Sequence, residues 1–291
     1  MTYTETVRGG VSTFFTSPQI EDLTGFTQAE WGTSFDRLLP HIHPDDRASV
    51  LAEIKRTDAT GEPFHSEYRF SCKDGRTIWI RNEATLTHDD SSHDRTWRGF
   101  MTDITEHKRL EAQLLHAAFH DTLTDLPNRA LFLERTRHAL AGTERRDRRI
   151  GVLFLDLDNF KVIHDTFGHG PGDELLISVA NLLKMQLRNG ETLTRLGGDE
   201  FAILLEDIVA IDDGVRVAQR LITALEQPII LVGQAVCVEA SIGIVISTER
   251  HTTPDELLRD ADIALYRAKA AGKHGYSVFD VAIHAEAAER R

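Results

Sequence analysis

The sequence predicts an α+β protein of two domains joined by a helical segment. Three observations carry that prediction. The 291 residues are about twice the length of a common single domain. The first part alternates short β-rich runs with small helical stretches, the pattern of an antiparallel sheet carrying helices. The later part has a longer rhythm of apolar strands and helices, the pattern of an α/β sandwich on a mainly antiparallel sheet.

In the first part, Thr2–Val7 and Val11–Thr16 flank Arg8-Gly9-Gly10, a hairpin signal. Ser17-Pro18 opens a helical stretch. His43-Pro44-Asp45-Asp46 opens another, which runs to about Thr60 and stops at Gly61. Phe64–Cys72 is a strand with Tyr68, Phe70 and Cys72 on one face, and Lys73-Asp74-Gly75 is a turn. Arg76–Leu86 and Trp97–Ile104 complete the sheet. Thr105–Phe119 reads as a helix with Leu110, Leu114 and Ala117 or Ala118 on one stripe, too short for a stable coiled coil alone.

In the later part, Ile150–Leu155 is a solid apolar run, as in a buried central strand. Helical patterns follow at Phe160–Phe167 and Gly172–Arg188. Strands Thr192–Leu196 and Phe201–Leu205 flank Gly197-Gly198-Asp199-Glu200. Gly214–Glu226 is helical and Val236–Ser247 is a strand. Pro254–Ala271 is a helix stopped at Gly272, and Tyr276–Phe279 is a final strand.

Composition narrows the function. Apolar residues make up 41% and charged residues 27%, which excludes wholesale disorder. With 33 Lys and Arg against 46 Asp and Glu, the net charge is −13, so nucleic acid is not an expected partner. A nucleotide remains compatible if Mg2+ bridges the like charges. Cys72 and Cys237 form no metal spacing and read as two buried thiols. No apolar run approaches the roughly 18 residues of a membrane span, and the N-terminus carries no leader pattern. A cytoplasmic protein is expected.

Two acidic groups carry the chemistry. Gly197 and Gly198 permit a tight turn with open backbone N–H groups, and Asp199 and Glu200 follow at once. Asp156-Leu157-Asp158 ends the apolar strand, where carboxylates can hold Mg2+ beside a phosphate. Asp158 or Asn159 can cap the next helix, and both roles are compatible, with Asp156 as ligand and its neighbour as cap. Together the groups suit phosphoryl transfer.

Arg195-Leu196-Gly197-Gly198-Asp199-Glu200-Phe201 resembles the signature of GGDEF diguanylate cyclase domains. His120-Asp121-Thr122-Leu123-Thr124-Asp125-Leu126-Pro127-Asn128-Arg129 looks like that family's entry segment. Asp156–Lys161 and Phe167–Asp173 look like its nucleotide-site motifs, and Ala261–Lys269 like its late helix. The resemblance covers about residues 117–280. It implies a palm-like fold that joins two GTP into cyclic di-GMP in a dimer, each 3′-hydroxyl attacking the other GTP's α-phosphorus. It implies that Asp156, the Leu157 carbonyl, Asp199 and Glu200 hold Mg2+ or Mn2+, with Asp199 as general base. Lys161 is then the transition-state cation. His164, His169 and Asp173 belong to the nucleotide pocket, with Asp173 on the guanine edge, and Lys269 and Lys273 lie at the phosphates.

Three positions depart from the family's pattern. His164 stands where Asn is usual, and its ring presents one donor and one acceptor on opposite sides. Lys273 stands where Arg is usual and loses the bidentate fork. The inhibitory product site, usually Arg-x-x-Asp, reads Arg188-Asn189-Gly190-Glu191.

Ser17–Phe26, His41–Arg47, Glu67–Phe70, Asp74–Arg76 and Gly99–Lys108 together resemble a PAS domain, a sensor fold that often dimerises. His41 and His43 read as helix-start residues rather than haem ligands. Phe14, Phe15, Trp31, Phe35 and Trp79 read as core. Phe279-Asp280, then Ile283-His284-Ala285 and Arg290-Arg291, resemble the junction into an EAL phosphodiesterase domain in longer proteins.

The expected layout is a PAS sensor at 1–103, a helical linker at 104–119, a GGDEF domain at 120–280 and a tail at 281–291. The expected function is a PAS-controlled diguanylate cyclase, a homodimer through the PAS domain and linker helix. The alternative is a degenerate GGDEF domain that binds GTP or cyclic di-GMP as a regulatory module, serving an EAL domain elsewhere in a longer protein.

Overall fold

The computed structural model describes residues 1–8, 11–31, 38–89, 94–143, 149–188 and 190–280. Backbone contacts divide the chain into two units, Met1–Leu114 and Leu115–Arg291.

In the first unit, strands β1 (Thr2–Arg8) and β2 (Val11–Thr16) pair antiparallel, with Tyr3 opposite Thr16 and both buried. The hairpin tip at 9–10 lies outside the described residues. Helix α1 (Gln19–Thr24) ends on Gly25 at φ +77°, a left-handed stop that glycine takes without strain. A short helix α2 (Gln28–Trp31) precedes a 3₁₀ turn at Leu39–His41. Helix α3 (Pro44–Thr60) begins as the sequence predicts: His43 Nδ1 accepts from the Asp45 N–H, Pro44 takes the first turn, and Gly61 ends it at φ +71°.

Strands β3 (Phe64–Ser71), β4 (Thr77–Asp89) and β5 (Asp94–Asp103) complete a five-stranded antiparallel sheet in the order β2-β1-β5-β4-β3. Its core holds Ile20, Trp31, Tyr68, Phe70, Ile80 and Met101. The buried Asn82 serves two rings: its Oδ1 accepts from the Tyr3 hydroxyl, and its amide donates to the Tyr68 hydroxyl. Asp46 clamps α3 onto β3 by accepting from the Arg69 backbone N–H and guanidinium at 2.7–2.9 Å.

Two of the aromatic residues expected in the core lie elsewhere. Phe15 is 64% exposed, because Phe14 and Thr16 take the inward positions of β2. Trp79 is half-buried on the outer face, under the cations of Arg69 and Lys108. Phe35 lies outside the described residues. Phe14 and Trp31 are core residues.

Helix α4 (Thr105–Phe119) has the predicted bounds. Asp103 Oδ1 accepts from the Thr105 N–H, and Lys108 Nζ lies 2.8 Å from Glu67. None of its residues is buried, and Leu110, Leu114, Leu115 and Phe119 are exposed.

In the second unit, α5 (Arg129–Thr143) follows the entry segment. The sequence pattern did not announce it. Next come β6 (Arg149–Asp158), α6 (Phe160–Phe167), α7 (His169–Met185), β7 (Glu191–Gly197), β8 (Glu200–Ile208) and α8 (Ile211–Leu225). The expected single strand at 236–247 is instead the end of a small hairpin, β9 (Ile229–Leu231) with β10 (Gln234–Val236), followed by β11 (Glu239–Ile246). Helix α9 (Pro254–Ala270) and β12 (Gly275–Val278) close the unit.

The main sheet has the order β12-β11-β6-β8-β7, antiparallel except for the parallel β11–β12 pair. Alternate residues of β6 and β8 feed two cores. Leu153, Leu155, Phe201 and Ile203 join a cluster with α7 and α8. Val152, Phe154, Ala202 and Leu204 join Phe132 of α5 and Leu257, Ala261 and Leu265 of α9. Gly243 lets α9 lie directly on β11: a Cβ there would stand 2.0 Å from the Ala261 carbonyl oxygen. Cys72 is buried as expected, but Cys237, between β10 and β11, is exposed.

Candidate active site

The sheet brings the two acidic motifs to one end. Asp156, near the end of β6, pairs directly across the ladder with Glu200, the first residue of β8. Asp199 precedes it in the turn from β7. Gly197 at φ +148° and Gly198 at φ +53° make that turn, and open space surrounds both Cα positions. A side chain would strain the backbone at either place.

The turn is held by two of its own carbonyls. The Leu157 N–H donates to the Asp199 oxygen at 3.3 Å. Arg195, only 9% exposed, donates from Nε and Nη2 to the Gly198 oxygen at 3.0 and 2.8 Å. Its Nη1 donates to Asp121 Oδ1 at 2.8 Å, and its backbone N–H donates to the Pro127 oxygen. Asp121 also accepts from the Thr124 N–H and hydroxyl. The entry segment and the glycine turn are therefore parts of one network. Arg195 stands within the glycine motif, and no local sequence signal points to this task.

Lys269 of α9 places Nζ 2.7 Å from Asp156 Oδ1. Burial pushes the Asp156 carboxyl up. Lys269 pulls it partly back, the charges of Asp199 and Asp158 add to the rise, and the net position is above the usual range. The Glu200 carboxyl is also pushed up, first by partial dehydration and then by the charges of Asp156, Asp199 and Asp262. Three carboxylates thus crowd one strand end. Their hard oxygens are the donors that Mg2+ and Mn2+ take, and the Lys269 ammonium stands on one of them as a cation would. Among the described residues no three such groups are already gathered into a metal shell.

Asp158 and Asn159 do not cap α6. Asp158 is buried, accepts from the Ser241 hydroxyl at 2.9 and 3.0 Å, and takes the His274 N–H. Asn159 occupies the N-cap position in the left-handed region at φ +60° with no capping bond. Its Oδ1 accepts from Lys273 Nζ at 2.9 Å instead, which fixes Lys273 beside the end of β6.

A second group of expected residues gathers on α6 and α7. The His164 and His169 rings meet edge to face at 4.4 Å. A Cβ on Gly172 would stand 2.9 Å from His164 Cδ2, so the imidazole lies directly over that glycine. Lys161 and Asp173 are exposed on the same two helices, and among the described residues neither bonds to the carboxylate cluster.

Arg188 and Glu191 lie apart, at the other end of β7 from Gly197. Glu191 Oε2 accepts from the Arg188 N–H at 2.8 Å and from Arg220 Nη2 at 3.0 Å. They border a cavity of about 520 Å³ that Arg216 and Arg220 of α8 also line. Arg220 has no local sequence signal, since only the fold brings α8 to the start of β7.

The family profile for the GGDEF diguanylate cyclase domain matches residues 118–275. The chain belongs to the GGDEF family. The profile of the PAS fold matches residues 13–101 and precedes the GGDEF domain. The bifunctional diguanylate cyclase/cyclic di-GMP phosphodiesterase MucR of Pseudomonas aeruginosa is 41% identical over 182 residues, 62% of this chain and 26% of MucR. The probable diguanylate cyclase DgcE of Escherichia coli is 32% identical over 280 residues, 94% of this chain and 25% of DgcE. The chain thus spans only about a quarter of the length of these two relatives. Among solved structures, the GGDEF domain of TpbB from Pseudomonas aeruginosa aligns with a TM-score of 0.54 at 40% identity, covering 56% of this chain and 95% of that one.

Proposed function

We propose that the GGDEF domain is a diguanylate cyclase that converts two GTP into cyclic di-GMP and two pyrophosphates. The observation that carries this reading is the Asp156–Glu200 cross-strand pair beside Asp199 on the glycine turn, with Lys269 as its cation. Asp156, the Leu157 carbonyl, Asp199 and Glu200 would hold Mg2+ or Mn2+. When bound, the ion supplies charge neutralisation at the α-phosphate.

The chain's own residues do the rest. Lys269, released from Asp156, and Lys273 bind the terminal phosphates. Lys161 meets the charge that develops in the transition state. His164, His169 and Asp173 receive the guanine. Asp199 accepts the proton as the 3′-oxygen bonds to the other nucleotide's α-phosphorus and the bond to pyrophosphate breaks. The same exchange in the opposite sense closes the ring.

This chemistry needs two copies. We place the units at 1–103, 104–119 and 120–280. The PAS domain would control the pairing of two copies through the exposed apolar stripe of α4. Arg188 and Glu191 are the candidate inhibitory site for cyclic di-GMP. Among the described residues no helix is long and apolar enough to cross a membrane, which is compatible with work in the cytoplasm.

The test is product analysis of the full chain with GTP and Mg2+. Cyclic di-GMP from the wild type and none from Asp199→Ala is the expected result, and equal turnover by the variant would overturn the site.

One observation favours a second reading. His164 fills its place against Gly172 and His169 with a ring, where the family's Asn would present an amide. In that reading the domain binds GTP or cyclic di-GMP as a regulatory module for an EAL domain of a longer protein. GTP binding without product would favour it.

A further inference from the structure

Helix α9 buries Leu257, Ala261, Ala264, Leu265 and Ala268 and turns a different stripe outward. On that stripe Asp262, Tyr266 and Lys269 fall at i, i+4 and i+7, which places them one above another on a helix. The Lys269–Asp156 contact of 2.7 Å shows that the stripe rises beside the carboxylate cluster. Asp262, two turns before Lys269, is exposed on the same side of the helix. Tyr266, between Asp262 and Lys269, is 75% exposed. Among the described residues neither Asp262 nor Tyr266 has a hydrogen-bond or ion-pair partner.

Single exposed aromatic side chains are common on protein surfaces. This one is distinguished by its place, on the solvent side of the cluster where the reacting phosphate would lie. A domain that holds one GTP must receive a second nucleoside at the cluster, and the α9 stripe is an exposed face beside it. A purine nucleoside offers a flat base for an aromatic ring and sugar hydroxyls for a carboxylate acceptor.

We propose that Tyr266 and Asp262 form the receiving edge for the second nucleotide, the GTP carried by another copy of this chain. The Tyr266 ring packs against its nucleoside, and Asp262 accepts a hydrogen bond from a ribose hydroxyl. The proposal rests on the cyclase reading and deepens it: these two residues touch the partner's substrate and not their own.

The experiment compares the full chain with Tyr266→Ala, Tyr266→Phe and Asp262→Ala. One readout is the affinity for a non-hydrolysable GTP analogue by calorimetry, and the other is the rate of cyclic di-GMP formation. Both positions lie on the exposed stripe, and matching thermal melts check that the variants fold. The expected result is unchanged analogue affinity with turnover lower by about 10- to 100-fold for Tyr266→Ala. Tyr266→Phe, which keeps the ring, recovers most of that loss, and Asp262→Ala, which removes the acceptor, loses turnover at unchanged analogue affinity.

Unchanged turnover in Tyr266→Ala would overturn the proposal. Analogue affinity that falls in step with turnover would also overturn it, since both residues would then serve their own GTP. A wild type that makes no product fails the cyclase reading itself and removes the proposal with it, an outcome read before any variant is compared.

Discussion

Replacing Arg195 by Met should cost the GGDEF domain about 3 kcal/mol, at the lower end of the range for removing one member of a buried ion pair. The lower end follows from the surroundings. Asp121 would keep the Thr124 N–H and hydroxyl, and its side chain is 20% exposed. The Gly198 oxygen lies in an exposed turn and can turn to water. What remains is the loss of one charge-assisted bond to Asp121 and two to Gly198, together with an Asp121 carboxylate that no longer has its cation. Urea unfolding, followed on the transition of the second unit, measures the cost. Asp121→Asn and the double variant complete a cycle, with an expected coupling of about 1–3 kcal/mol.

The pH dependence has a definite sign. Burial pushes the Asp121 carboxyl up, but Thr124 and Arg195 outweigh it, and the carboxyl sits below its usual range. Its contribution to stability is full above the unfolded value near ~3.9 and fades as pH falls through the depressed folded value. The gap between wild type and Arg195→Met should therefore narrow in acid. A cost below about 1 kcal/mol, or additive single effects, would refute the idea that Arg195 joins the entry segment to the turn.

Other substitutions test separate features. Gly243→Ala drives a methyl group into the Ala261 and Leu265 backbone and should cost about 3 kcal/mol or more in thermal or urea unfolding; a mild effect would mean α9 can lift from β11. Asp46→Asn should weaken only the first unit, by about 1–3 kcal/mol. The Arg69 guanidinium holds the Asp46 carboxyl low, so this loss too should shrink as pH falls through the depressed value, and a pH-independent loss would contradict that. His164→Asn should lower the KM for GTP by about tenfold if the ring obstructs the base, and an unchanged KM would show that His164 serves the pocket.

Much of the architecture could be read from local signals. Pro44 and Gly61 bound α3, and Thr253 with Glu256 forms a capping box at the start of α9. The alternation of Tyr68 and Phe70 gave the inward face of β3. Helix α5 lacks a clear apolar stripe because, among its described residues, the two fully buried ones are Phe132 and the polar Thr136, with Leu133, Ala139 and Leu140 only partly buried. The β9–β10 hairpin was hidden by its exposed Ile230 and Val232, which blur the alternation that marks a strand.

The carboxylate end of the site was legible as motifs, but its internal division of labour was not. Asp156 and Asp158 are two residues apart on one strand, yet one faces Lys269 and the other is spent on Ser241 and His274. The acid pair could have been read either way until β11 supplied Ser241. The same holds for Arg188 and Glu191, whose third member, Arg220, arrives from a helix far along the chain.

The crowding of Asp156 and Glu200 bears on how such a domain changes over generations. Carboxyl groups pushed above their usual range oppose folding at neutral pH, so neutral replacements at these positions are favourable for the fold alone. Drift without selection on the site would move toward their loss, since substitutions that relieve such strain are readily found. A lineage that retains both acids against that cost would be held there by a ligand such as the proposed metal ion. Descendants freed from that task should surrender the acids first and keep Arg195, which serves the fold itself.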